Sequence, residues 1–212
     1  MSKQQGAVTG PGTRGVGTKG MPRKDRERLI LDAAADEFGA KGWARGSTAE
    51  VAARAGITKP MIYEYFRSKD GLYLACLDRA GPRLVAAVEA AQEGPADLTR
   101  ATRTLAAVFR ALEARPLDWD LVYDPTLPPD GPLHTAAVVY RRELNRLGAV
   151  GVGAFLDAAR GSRPVDPLDA DLVTHLWFGT VSAAVAWWRH HPGQSAQDMV
   201  DRCERVFSLL RP

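Results

Sequence analysis

Between Gly46 and Lys69 the chain gathers hydroxyls, lysines and aromatic rings at spacings suited to gripping a polyanion. Ser47 and Thr48 open one short helical pattern, and the free N–H groups of a helix start make an anion site there. A second short pattern carries Thr58, Lys59, Pro60, Met61, Tyr63 and Tyr65. Pro60 is tolerated because first-turn N–H groups have no intrahelical partner. Pro60 and Met61 suit contact with a thymine methyl, while Lys59 can reach a phosphate or a guanine edge. The hydroxyls of Tyr63 and Tyr65 have the reach for phosphate oxygens, and Lys69 repeats the basic contact at the next helix start. An exposed lysine is more often only a soluble surface, and a tyrosine pair more often half-buried packing. The coincidence of all these groups favours nucleic-acid recognition.

Other chemistries lack their residues. His134, His175, His190 and His191 form no set with a nucleophile and carboxylate, and no metal-ligand spacing occurs. Neither catalysis, a metal nor a cofactor is expected. Gly148, Gly151 and Gly153 do not match a phosphate-cradling spacing and no strand precedes them; close helix packing or a kink explains them better. Cys76 and Cys203 lie on apolar stripes at helical spacing and read as core. With no signal-like segment and no long apolar run, the expected setting is the cytoplasm, with no membrane partner.

The elements that must position these residues are all helical. With 45% apolar and 25% charged residues, the chain can bury an ordinary core. Residues 1–22 are Gly-rich and basic (Lys3, Arg14, Lys19) and read as a disordered tail. A first helix is expected over 24–41, ended by Gly42. A second opens at Ser47 or Thr48 and ends near Ala55-Gly56. Thr58 caps a third over 59–66, and Ser68 caps a fourth running to about 91. Further helices are expected over 97–114, 133–159, 168–190 and 195–210, with the Pro-rich stretch 115–132 as loop or one short helix. The second and third helices, joined through Gly56, form a helix-turn-helix. Val51, Ala52, Ile57, Ile62 and Phe66 are its inward side, against Phe38 and Trp43. Isolated helices this short are unstable, so tertiary packing must hold them.

Charge agrees weakly with this picture. Net charge is +3, yet residues 1–80 balance at +5 and the remainder at −2, and all six lysines lie in the first third. The string TAEVAARAGITKPMIYEYFRSKDGLY resembles the DNA-binding region of TetR-type transcriptional regulators, through Thr48, Val51, Ala52, Ala55, Gly56, Ile57, Thr58, Tyr63, Phe66, Ser68, Lys69, Asp70 and Leu72. The resemblance covers roughly residues 24–75. Trp43 stands where that family more often has Phe or Tyr, and Ala49 where relatives often have Arg.

The resemblance implies an all-α fold: a three-helix DNA-binding domain over 23–68 and a larger helical domain over 69–212 for dimerisation and ligand binding. Its implied partners are a palindromic DNA operator, a second copy of the chain and a small-molecule effector, with repression released by that effector. Ser47, Thr48, Thr58, Lys59, Pro60, Met61, Tyr63, Tyr65 and Lys69 are the expected DNA contacts. Two apolar stripes suit the dimer interface: Leu172, Leu176, Gly179, Ala183 and Trp187, then Met199, Cys203, Val206, Phe207 and Leu210. Trp119, Tyr123, His134, Tyr140, His175, Trp177 and Phe178 offer the apolar and polar atoms of a pocket, although His175 alone reads better as a hydrogen-bonded core histidine. An enzyme or scaffold with a DNA-binding-like module is the alternative. A nonspecific nucleoid protein would need more basic charge.

Overall fold

The computed structural model describes residues 20–160 and 164–209. Among these the elements are α1 (Arg23–Arg45), α2 (Thr48–Arg54), α3 (Lys59–Phe66), α4 (Lys69–Ala91), α5 (Leu98–Leu112), α6 (Asp118–Val122), α7 (Pro132–Arg160), α8 (Pro167–Arg189) and α9 (Ala196–Ser208). No helix among the described residues is long and apolar enough to cross a membrane. The tail expected over 1–22 lies outside the described residues up to position 19, as does Leu210.

Gly42 interrupts α1 rather than ending it. Its φ of 74° and ψ of 166° break the helix, which then resumes through Arg45. A β-carbon here would also meet Thr126 Oγ1 at 2.6 Å, so both conformation and space require glycine. The break frees backbone donors, and a distant loop takes them. Trp43 N donates to Asp124 Oδ2 at 2.7 Å and Ala44 N to Thr126 Oγ1 at 3.2 Å. The loop after α6 thus caps the last turn of α1.

Between α2 and α3 the chain turns at Gly56, with φ 64°, and Ile57 N donates back to Ala52 O at 3.0 Å. Such a left-handed residue with a return bond is a standard helix stop. Thr58 occupies the N-cap position of α3, but its hydroxyl makes no capping bond. Its carbonyl instead accepts from Met61 N at 3.0 Å, which already serves one first-turn donor. Ser68 does cap α4 as expected, accepting from Gly71 N at 2.9 Å.

Helix α4 is the centre of the molecule and packs against α1, α3, α5, α6 and α7. Its buried Leu72, Tyr73, Cys76, Leu77, Ala80 and Leu84 belong to one core that runs from Ile30 on α1 to Val200 on α9. The core is therefore continuous across the domain boundary expected at 68/69. Burial pushes the Cys76 thiol up to about 12, so this cysteine is an inert apolar filler. Cys203, by contrast, is only half-buried.

Candidate nucleic-acid interface

The inward residues of α2 and α3 pack as a small core. Val51, Ala52 and Ile62 are buried, with Ile57, Phe66 and Trp43 partly buried against them. A buried carboxylate, which sequence reasoning missed, fixes how α2 sits on α1. Glu37 is wholly buried, accepts from Ser47 N at 3.2 Å, and pairs with Lys41 at 2.8 Å and Arg54 at 3.4 Å. It therefore holds both ends of α2. An acidic residue one helical turn before Lys41 looks like an ordinary surface pair in sequence, which is why it escaped notice. Glu37→Ala leaves the Ser47 amide without its partner and is expected to cost about 2–3 kcal/mol, read by urea unfolding.

What remains of α3 faces solvent. Lys59, Pro60 and Tyr63 are exposed, Met61 half-buried, and Thr58 exposed just before them. At eight residues the helix is about 12 Å long, matching a major groove of about 12 Å. The Lys59 ammonium stands 5.9 Å from the Tyr63 ring centroid, and the Tyr63 hydroxyl lies 3.4 Å from Thr48 Oγ1. Ser47 caps α2, accepting from Ala49 N at 3.3 Å.

Three expected contacts sit differently from the sequence reading. Thr48 is buried, so its hydroxyl braces Tyr63 rather than standing free. Tyr65 is half-buried beneath Arg23, whose guanidinium lies 4.6 Å from its ring centroid, and its hydroxyl accepts from Arg26 at 3.2 Å. That ring ties α3 to α1. Lys69 is half-buried, its ammonium 4.8 Å from the Trp43 ring centroid, while the Trp43 indole N–H donates to Asp70 at 3.0 Å. Trp43 thus gives Lys69 a fixed shelf, and its indole makes a bond that Phe could not.

Residues 30–76 match the family model described as "Bacterial regulatory proteins, tetR family". The activator FasR of Mycolicibacterium smegmatis is 36% identical over 89 residues, 42% of this chain and 41% of that protein. The repressor Rv3405c of Mycobacterium tuberculosis is 34% identical over 76 residues, 36% of this chain and 39% of that one. The match thus spans about two-fifths of the length of these curated relatives. A solved TetR-like transcriptional regulator from Rhodococcus sp. RHA1 superposes with a TM-score of 0.63 and 26% identity, over 85% of this chain and 92% of that chain. The chain carries a TetR-type DNA-binding domain. Its three-helix module is the family's N-terminal unit, and the helical body beyond α4 follows the architecture of the Rhodococcus regulator.

In this TetR-type body the expected pocket residues scatter. A cavity of about 220 Å³ lies among the C-terminal end of α4 and helices α5, α7, α8 and α9, and of the seven named residues only Trp177 lines it. Trp119 and Tyr123 stack on each other at 4.5 Å beside the core. Tyr140 lies over Gly81 and donates to Asp78 at 3.1 Å. Phe178 packs on Gly148, where a β-carbon would sit 2.7 Å from its ring. His134 is half-buried and does not line the cavity. His175 is no core histidine: it is exposed on α8, its Nδ1 2.9 Å from the Asp171 carbonyl. Aromatic type identifies packing mass, but not which face of a helix covers a hollow.

The stripe expected for dimerisation divides similarly. Leu172 and Leu176 are 59% and 61% exposed, and Gly179, Ala183 and Trp187 lie open beside them. On α9, Val206 is exposed, whereas Met199 is buried in the chain's own core and Phe207 lines the cavity. Cys203 is half-buried.

Proposed function

We propose that the chain is a dimeric, sequence-specific DNA-binding transcriptional regulator, a repressor that leaves its operator when a small molecule binds the helical body. The observation carrying this reading is the solvent-open face of α3, held rigidly by Glu37, Trp43 and the α2–α3 core. Ser47, Thr58, Lys59, Pro60, Met61, Tyr63 and Lys69 are the contacts we assign to DNA. Thr48 and Tyr65 support them from beneath.

Pairing through the open faces of α8 and α9 would present two such helices to half-sites one helical turn apart, which makes the operator an inverted repeat. The ligand would favour a spacing that no longer fits, with α4 as the lever, since it carries Lys69 at one end and reaches the cavity at the other.

Selection of bound sequences from a random DNA pool tests the reading directly. A palindromic consensus is the expected result, and recovery without sequence preference would refute it. Side-chain roles separate in the same assay. Tyr63→Phe removes a phosphate-reaching hydroxyl and should weaken all sequences alike by about three- to tenfold. Met61→Ala should instead alter preference at one base position, by about 1 kcal/mol or more.

A further inference from the structure

The cavity at the end of α4 has a chemistry of its own. Val152, Phe155, Val173, Leu176, Trp177 and Phe207 make its walls largely apolar. Most of its polar groups lie on the α4–α5 side, namely Gln92, Asp97, Arg100 and Thr104, while Thr180 on α8 spends its hydroxyl on the Leu176 carbonyl at 2.9 Å. Gln92 donates to Thr104 Oγ1 at 3.1 Å, and the Asp97 carboxylate accepts the Thr99 N–H at 2.9 Å and also the Thr99 hydroxyl. These groups serve one another and the first turn of α5.

Arg100 does not fit that pattern. One of its terminal nitrogens donates to the Gly94 carbonyl, while its Nε is buried with no hydrogen-bond partner. Among the described residues it makes no ion pair. With the Asp97 carboxylate tied to Thr99, a guanidinium in the wall of an apolar hollow and outside any ion pair is suited to receive an anion.

The space sets the size. An engineered hollow of 150 Å³ holds benzene, so about 220 Å³ holds roughly nine non-hydrogen atoms. Glycines on α7 shape it: a β-carbon at Gly151 would lie 2.7 Å from Gln92 Oε1. The spacing of Gly148 and Gly151 thus lets α7 approach α4 and α8 closely around the hollow.

From this we infer that the cavity binds a slender carboxylate amphiphile, its apolar body against Val152, Phe155 and Trp177 and its carboxylate on the Arg100 guanidinium. The inference rests on reading the chain as ligand-responsive and names the ligand class. Anion binding would draw on Arg100 beside Gln92, the residue that closes α4, so the charged end of the ligand sits at the lever.

Calorimetric titration with octanoate, octan-1-ol and octylamine at pH 7.5 tests the assignment. Octanoate is expected to bind at least tenfold more tightly than the other two. Arg100→Gln should bring octanoate down about 10- to 100-fold, to the level of the alcohol, while leaving the alcohol unchanged, which also certifies the fold. Arg100→Lys should keep most of the preference. Equal binding of acid and alcohol, preference for the amine, no octanoate binding, or an unaffected Arg100→Gln variant would each overturn the assignment. Operator affinity is measured separately. Octanoate that binds with the Arg100 dependence but leaves DNA affinity unchanged supports the ligand class and counts against the ligand-released repressor.

Discussion

Replacing Asp124 with Ala is expected to lower the melting temperature by about 10 °C and to weaken operator binding more than tenfold at a temperature where the variant is still folded. The buried Asp124 carboxylate accepts Trp43 N at 2.7 Å, the Tyr73 hydroxyl at 3.0 Å and Thr126 N at 2.8 Å. Tyr73 has a second acceptor, the Leu121 carbonyl at 3.0 Å. Burial and then the carboxylate charge hold its phenol far above the usual range, so it remains a donor. Removing the carboxylate therefore orphans mainly the Trp43 and Thr126 amides, at about 3–5 kcal/mol together. For a chain of this size each kcal/mol is worth about 2–4 °C. The effect on DNA follows from position. Trp43 carries the shelf for Lys69 and leads directly into Ser47 at the start of α2. Asp124→Asn keeps an acceptor and should lose about half as much. A melting temperature within 2 °C of the parent for Asp124→Ala would remove this latch from the account.

That latch marks where the sequence stopped being informative. The helices were legible because each is announced locally: Ser47 and Ser68 as caps, Gly56 as a stop, and an apolar period that survives even Pro82 inside α4. The outward residues of α3 were legible by subtraction, once its inward side was assigned to Phe38 and Trp43. Asp124 and Glu37 were not. Their roles depend on partners far along the chain, Trp43 in one case and Arg54 in the other, and a lone acidic residue looks solvated until its partners are known. Gly42 shows the same limit. Its stop was legible, but not the loop that would cap the resumed turn. The cavity was the least legible feature, because a hollow is defined by what is small or absent. Gly148, Gly151 and Ala101 line it, whereas the aromatic residues singled out mostly fill the core. Arg100 gave no signal beyond being one arginine among many.

The largest effect on DNA binding is expected from the open face of α8. A variant carrying Leu172→Glu and Ala183→Glu should sediment as a monomer and lose at least about 100-fold in affinity for a palindromic operator, with its melting cooperativity intact. Leu168, Leu172 and Leu176 on α8, with Val206 on α9 and Leu209 just past its end, are all more than half exposed. Large apolar side chains gathered this way mark an interaction surface more than a solvated one. Gly179 lies mid-stripe, and a β-carbon there would meet nothing within 4 Å, so a facing helix has room to approach closely. In a two-fold pair each position meets its own copy or a neighbour of it, so two substitutions place four carboxylates in one desolvated seam. Neither residue belongs to the core of the single chain, which is why folding should survive. A monomer contacts one half-site, and the second contact, otherwise nearly intramolecular, is lost. Should the double variant remain a dimer, the interface lies elsewhere; should it become a monomer yet hold the operator as tightly, pairing is not what gives the chain its grip on DNA.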